Sequence, residues 1–133
     1  MLRSRWVAGP SAGLPGPLVA ALTDYRMNHL LDLPGIVRHG LSLSRLWPAL
    51  PGAVGMWLWL DLPGHRVGSL SVWRGEDDLH AFVRLRPHVR IMRAYRHRGT
   101  LRSRTWQIDT LDRDALWRSL HSGPGAEPRS RLP

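Results

Sequence analysis

The sequence holds 133 residues with a formal charge of +9 at pH 7, and all 19 of its basic side chains are arginines. Its hydrophobic content of 43% is too high for a disordered chain, and its length suits one domain with a modest core. The absence of cysteine excludes disulfides, thiolate zinc sites and cysteine nucleophiles. No apolar run approaches the roughly 18 residues of a membrane span, so we expect a cytoplasmic protein without a membrane partner.

Composition divides the chain into three parts. After an arginine-rich start, WVAGPSAGLPGP brings prolines and glycines close together, so residues 1–17 are predicted to form a flexible N-terminal arm. SGPGAEPRSRLP, residues 122–133, is predicted to be a disordered tail. Residues 18–121 contain no repeat or linker and are interpreted as a single domain.

The first half of this domain is predicted to contain a strand, a helix and a hairpin. Residues 18–30 alternate as a strand does, although their leucines and alanines leave a helix open as an alternative. Pro34 suits the start of a helix that ends near Trp47. Strands over 53–62 and 66–73 then form a hairpin around a Pro-Gly turn.

The second half is predicted to contain a broken helix, a strand and a short helix. The three acids of EDDL suit a first helical turn, where the helix dipole stabilises them. Pro87 interrupts the helical hydrogen-bond ladder, so we expect a second helical piece to start there and run to Arg98. A strand over 100–109 and an amphipathic helix over 112–120 complete the domain.

The order of strand, helix, hairpin, helix and strand is typical of the ferredoxin-like β-α-β-β-α-β fold. This α+β fold is an antiparallel sheet with both helices on one face, so the other face is expected to stay uncovered within one chain. That face would be too apolar to leave in water, and a homodimer that packs two sheets into an α/β barrel would cover it. The residues that we expect on it are Trp57, Trp59, Ser69, Ser71 and Trp73.

Three stretches resemble a known group of proteins: LPGAVG (50–55), GSLSVWRGEDDLHAFVRLRPHVRIMR (68–93) and RSRTW (102–106). Through them the chain resembles the antibiotic-biosynthesis-monooxygenase-like dimeric α/β-barrel proteins, in the branch of DUF3291-type and spheroidene-monooxygenase-like proteins. The shared pattern is a strand ending in Ser-x-Trp, an acidic turn, a helix with Ala-Phe, a histidine and a Met-Arg pair. In this chain those residues are Ser71, Trp73, Glu76, Asp77, Ala81, Phe82, His88, Met92 and Arg93.

The resemblance implies a homodimer with one cavity in each subunit between the sheet and the helices. Some members of the group oxidise polycyclic aromatic substrates without metal or flavin. Others are cyclases, lyases or haem proteins, or have no known activity, so the fold alone does not assign the chemistry.

His88 is the candidate catalytic residue. It follows the proline at the start of the second helical piece, where its imidazole could point into the cavity and act as a general base. Two alternatives remain open: a histidine that only hydrogen-bonds the neighbouring strand, and a haem ligand.

The candidate substrate-binding residues are aromatic rings and small hydroxyls. The rings could stack a flat aromatic substrate, and the hydroxyls could hydrogen-bond a phenol or quinone oxygen. The alternative is ordinary packing in the core and the dimer. The set comprises Trp57, Trp59, Ser69, Ser71, Trp73 and Phe82.

No cofactor is expected. The seven histidines show no HxH or HxxxH spacing, so we predict no metal site. No GxGxxG or GxxxxGK[ST] motif supports a nucleotide cofactor, and haem stays only as an alternative.

An arginine-rich run extends from Arg84 to Arg104. On a helix, several of these arginines would form an outward stripe that could bind phosphates. We interpret it as a solvated face partly neutralised by the acids of EDDL, and nucleic-acid binding is not expected because no RNA- or DNA-binding motif accompanies it.

The resemblance therefore implies a small biosynthetic enzyme, a monooxygenase that acts on a hydrophobic aromatic or polyketide-like molecule without a nucleotide cofactor. A cyclase or isomerase on the same scaffold is the first alternative. A homodimer that binds a ligand without catalysis is the second.

Overall fold

Four long antiparallel strands form the centre of the protein, in a computed structural model that describes residues 1–121. The predicted tail, 122–133, lies outside the described residues. The strands are β3 (Leu18–Met27), β4 (Ala53–Asp61), β5 (Arg66–Trp73) and β6 (Gly99–Ile108), arranged in the order β4-β5-β3-β6. Two short strands, β1 (Leu2–Arg3) and β2 (Val7–Ala8), pair with β4 on its outer side.

Four helices complete the fold. They are α1 (Leu33–Ser44), α2 (Glu76–Val83), α3 (Arg86–Tyr95) and α4 (Arg113–His121). With the long strands, the order β3-α1-β4-β5-α2/α3-β6 confirms the ferredoxin-like α+β fold. The break between α2 and α3 lies at Leu85, whose backbone is extended (φ −64°, ψ 143°), and α3 begins at Arg86, one residue before the predicted start. The helix breaks because Pro87 has no N–H to donate to the carbonyl of Val83, so α2 cannot continue through it.

The sheet has two covered faces. The helix face carries Val19, Ala21, Met56 and Trp73, which pack with Leu79 of α2 and with Trp47 from the turn after α1. The opposite face, called here the α4 face, packs against helix α4 and the N-terminal segment. Its buried residues are Leu18, Ala20, Leu22, Val54, Trp57, Trp59, Leu70, Val72 and Trp106, with Leu116 and Leu120 of α4.

The expectation of an uncovered second face is therefore wrong. Trp57 and Trp59 are only 3% and 2% exposed within a single chain. Helix α4, which the basic ferredoxin-like pattern does not include, supplies Leu116 and Leu120 to this face and so removes the apolar surface that motivated the predicted dimer.

Residues 1–17, predicted to be a flexible arm, contain two short strands that pair with β4. Leu2 pairs with Leu60 and Val7 with Met56 in the sheet. Between them, Trp6 meets Trp57 edge-on with ring centroids 4.8 Å apart. Gly55 permits this approach, because a Cβ there would overlap the Trp6 indole.

The register of the β4–β5 hairpin decides which side chains share a face. Asp61 pairs with Arg66, so four residues form the connecting turn and Leu58 lies opposite Ser69. Even-numbered residues of β4 thus share a face with odd-numbered residues of β5. A bulge between Ala53 and Gly55 shifts the start of β4, which puts Val54 on the α4 face.

Candidate functional site

His88 lies in the first turn of α3, directly after Pro87, with its imidazole packed against Phe82 of α2. The two ring centroids are 5.0 Å apart and meet edge to face. Burial lowers the pKa of His88 below its ordinary value of 6.5, and the Val83 backbone, which favours the protonated form, partly offsets this. The direction of this pKa shift favours the neutral imidazole at pH 7. Its Nδ1 is buried and has no hydrogen-bond partner.

Phe82 connects this imidazole to two buried indoles. Its ring lies 5.3 Å from both Trp73 and Trp47, and those two indoles are 4.8 Å apart. The Trp73 indole N–H donates to Ser71 Oγ at 2.9 Å. The structure thus brings together four of the predicted site residues, His88, Phe82, Trp73 and Ser71. With Trp47 they form what we call the His88 cluster.

Trp47 was not predicted as part of this site. In the sequence Trp47 ends an imperfect apolar stripe just before Pro48. That position indicates the end of a helix and nothing about a functional site. Only the tertiary structure places it against Trp73, where it is 1% exposed and its Nε1 has no hydrogen-bond partner.

Trp57 and Trp59 do not join the His88 cluster. They lie on the α4 face, whereas Ser69, Ser71 and Trp73 lie on the helix face opposite Leu58 and Met56. Ser69 is half-buried beside Thr23 of β3. The predicted substrate-binding set is therefore divided between two sides of the sheet.

The space between helices and sheet is filled at the His88 cluster. Trp47 and Trp73 are 1% and 0% exposed, and Nδ1 of His88 is covered by protein atoms. In this packing that nitrogen reaches neither a substrate nor a haem iron. A molecule could contact it only after Phe82 or the corner at Leu85 had moved.

An open cleft lies on the other side of the sheet, at the N-terminal segment and the start of α4. Its volume is about 300 Å³. Trp57, one of the predicted substrate-binding residues, is part of its wall. The complete lining is Arg3, Ser4, Arg5, Trp6, Trp57, Arg113 and Asp114, and we call this the arginine–tryptophan cleft.

The arginines of α3 are less neutralised than the sequence suggested. Asp78 pairs with Arg74 at 3.0 Å, and Glu76 approaches His80 at 3.6 Å. Among residues 1–121, neither acid forms an ion pair with Arg86, Arg90 or Arg93. These arginines are exposed, and the expected neutralisation by α2 is not seen among the described residues.

In the part of the chain that the structure describes, no three histidine or acidic side chains converge as a metal site would require. Within the same residues, no helix has both the length and the apolar character needed to cross a bilayer.

Comparison with known families and with curated proteins gives no sequence match. Solved structures do match. SnoaB, a cofactor-independent oxygenase from Streptomyces nogalater, is similar over 72% of this chain and 97% of its own, with 13% identity and a TM-score of 0.56. An antibiotic biosynthesis monooxygenase is similar over 71% of this chain and 99% of its own, with 8% identity and a TM-score of 0.58.

A protein from Lactobacillus acidophilus that is proposed to be a monooxygenase is longer than this chain. The match covers 69% of this chain but 44% of that one, with 10% identity and a TM-score of 0.59. At these identities the likeness establishes the fold, which is the antibiotic-biosynthesis-monooxygenase-like fold that the sequence resemblance implied.

Proposed function

We propose that the protein is a monooxygenase-like enzyme that acts on a small aromatic or polyketide-like molecule without a nucleotide cofactor, with His88 as the proton acceptor. The observation that carries the proposal is the position of this imidazole, which packs against Phe82 and has one buried nitrogen without a partner. Burial also lowers its pKa, which favours the neutral form. A neutral imidazole of this kind can accept a proton near pH 7.

The proposed reaction begins with proton transfer to His88. The substrate loses a proton from an acidic C–H or O–H group, and the resulting carbanion or enolate gives its electrons to dioxygen. A C–O bond forms as a peroxide, which then loses water to leave a carbonyl, so one oxygen atom enters the substrate and the other leaves as water. The protein's part is to position the substrate, accept the proton and exclude bulk water.

Access to Nδ1 of His88 requires a local opening. The corner between α2 and α3 is the place for it, because Arg84 and Leu85 are exposed and Leu85 has left the helical conformation. Movement of Phe82 there would expose Nδ1 next to Trp73, on which a flat substrate could stack. Ser71 Oγ, which already accepts from Trp73, would remain at the base of that space.

The closed packing of the His88 cluster favours one other candidate, a ligand-binding protein without catalysis. In that case Trp47, Trp73 and Phe82 are simply core, and His88 serves as a packing residue. A cyclase or isomerase would use the same base but consume no oxygen, so oxygen uptake separates it from a monooxygenase.

The experiment replaces His88 with glutamine and measures oxygen consumption with anthrone, a tricyclic aromatic whose CH2 group is readily deprotonated. We expect wild-type turnover and a loss of about 10²- to 10⁴-fold in His88→Gln, the usual contribution of a general base. Because the His88 pKa is lowered from 6.5, wild-type turnover should stay constant above pH 6.5 and decline only as the pH falls further below it.

The matched control is His80→Gln, the same substitution at an exposed histidine of α2. It should leave turnover unchanged. Equal turnover in folded His88→Gln would remove His88 from the mechanism, and product formation without oxygen uptake would favour the isomerase.

Assembly and location belong to this proposal as well. We propose a homodimer, as the resemblance implies, and the cytoplasm as its location. Since α4 covers one sheet face, the contact would use another surface, and β6, at the end of the strand order, offers an unpaired edge among the described residues.

A further inference from the structure

The arginine–tryptophan cleft collects positive charge beside aromatic surface. Three of its seven lining residues are arginines: Arg3 from β1, Arg5 from the segment before β2, and Arg113 from the first turn of α4. Asp114 is the one acid in the lining, so the cleft has a formal excess of two positive charges. All three arginines are exposed.

Two of these guanidinium groups are held in place by indole rings. The Arg3 guanidinium lies 4.7 Å from the Trp57 ring and 4.8 Å from the Trp117 ring. Arg113 lies 5.4 Å from the Trp6 ring. A guanidinium stacked on a ring keeps its N–H donors at its edge, where they remain available to an anion.

Within the described residues, no carboxylate accepts a hydrogen bond from these donors. Among residues 1–121, Arg3, Arg5 and Arg113 form no ion pair and donate no side-chain hydrogen bond to a protein acceptor. Asp114 lines the cleft without coming within ion-pair distance. By contrast, Arg66 on the same side of the sheet is satisfied by Asp24 at 2.8 Å.

We propose that the arginine–tryptophan cleft binds a small aromatic anion. Its carboxylate or phosphate receives hydrogen bonds from Arg3, Arg5 and Arg113, and its ring lies against the half-buried Trp6 indole. A volume of about 300 Å³ suits a ligand of one or two fused rings. Bidentate donation by arginine suits both oxyanions.

This site is separate from the His88 cluster. Trp57, in the wall of the cleft, lies on the α4 face, whereas His88 packs on the helix face through Phe82 and Trp73. The sheet stands between them, so a ligand in the cleft does not reach the imidazole. The inference therefore stands independently of the proposed oxygenase activity.

The test is calorimetric titration of the full chain with 2-naphthoate, and with 2-naphthol as the neutral probe of similar shape. We expect 2-naphthoate to bind at least tenfold more tightly. Arg5→Gln, which removes a guanidinium that makes no ring contact, should weaken 2-naphthoate by about tenfold, the value of one charge-assisted hydrogen bond. Arg3→Gln and Arg113→Gln should have the same or a larger effect.

Two further variants decide between a local site and general charge attraction. Arg90→Gln, an exposed arginine of α3 on the helix side, changes the net charge equally and should leave binding unchanged. Asp114→Asn removes the acid of the cleft and should tighten 2-naphthoate binding. Equal binding of the two probes, equal weakening by Arg90→Gln, or unchanged binding in Arg5→Gln would each overturn the proposal.

Discussion

At the scale of single residues, the stability of the helix face depends on whether the polar atoms buried among its aromatic rings have hydrogen-bond partners. Trp73 is completely buried, and its indole N–H has one acceptor, Ser71 Oγ at 2.9 Å. The indole N–H of Trp47 and Nδ1 of His88 have no partner. Such groups cost free energy when buried alone, which makes the Trp73–Ser71 pair important for the stability of this face.

Replacing Ser71 with alanine should lower the free energy of unfolding by about 1–3 kcal/mol, because the buried Trp73 N–H would lose its acceptor. Urea denaturation followed by tryptophan fluorescence measures it. Ser69→Ala is the matched control: it lies on the same strand and face, is half-buried and makes no side-chain hydrogen bond. A loss as large in Ser69→Ala as in Ser71→Ala would contradict this explanation.

At the scale of elements, α4 changes what the ferredoxin-like sheet presents to its surroundings. Leu116 and Leu120 are 5% and 7% exposed and belong to the same cluster as Trp57, Trp59 and Trp106. The helix begins after Asp112, whose side chain accepts a hydrogen bond from the Ala115 N–H at 3.1 Å. This N-cap fixes the start of α4 beside the arginine–tryptophan cleft.

Leu116→Ala should therefore destabilise the whole fold by about 2–5 kcal/mol, the usual cost of truncating a buried leucine. Thermal unfolding should remain a single transition at a lower midpoint. Leu31→Ala serves as the control, because Leu31 is 92% exposed and has almost no packing to lose. If the two variants unfold alike, α4 does not stabilise the α4 face in solution.

At the scale of the whole molecule, a charge of +9 and two covered sheet faces both oppose association through the sheet. The proposed homodimer must therefore use a smaller contact, such as the free edge of β6. Excess like charge weakens such a contact at low salt, and screening restores it.

Sedimentation equilibrium at about 100 µM protein should give the mass of two chains in 500 mM NaCl, and a lower average mass in 50 mM NaCl because the charge repulsion is less screened. The mass of one chain at both salt concentrations would contradict the dimer. Association that increases as salt is removed would show that opposite charges, rather than backbone pairing, hold the chains together.

The kind and order of the elements could be predicted from sequence because their signals are local. Alternation gave the strands, Pro87 gave the break between α2 and α3, and the acids of EDDL gave the start of α2. These signals act within a few residues, so the ferredoxin-like order of the elements followed from them.

Which residues come together in each site was decided only by the tertiary structure. A four-residue turn set the β4–β5 register from Asp61 to Gly55, which separated Trp57 and Trp59 from Ser71 and Trp73. Packing between distant segments closed the His88 cluster with Trp47 and brought the N-terminal arginines to α4. Which side chains share a face depends on register and on the elements that cover it, and both arise from contacts between segments far apart in the chain.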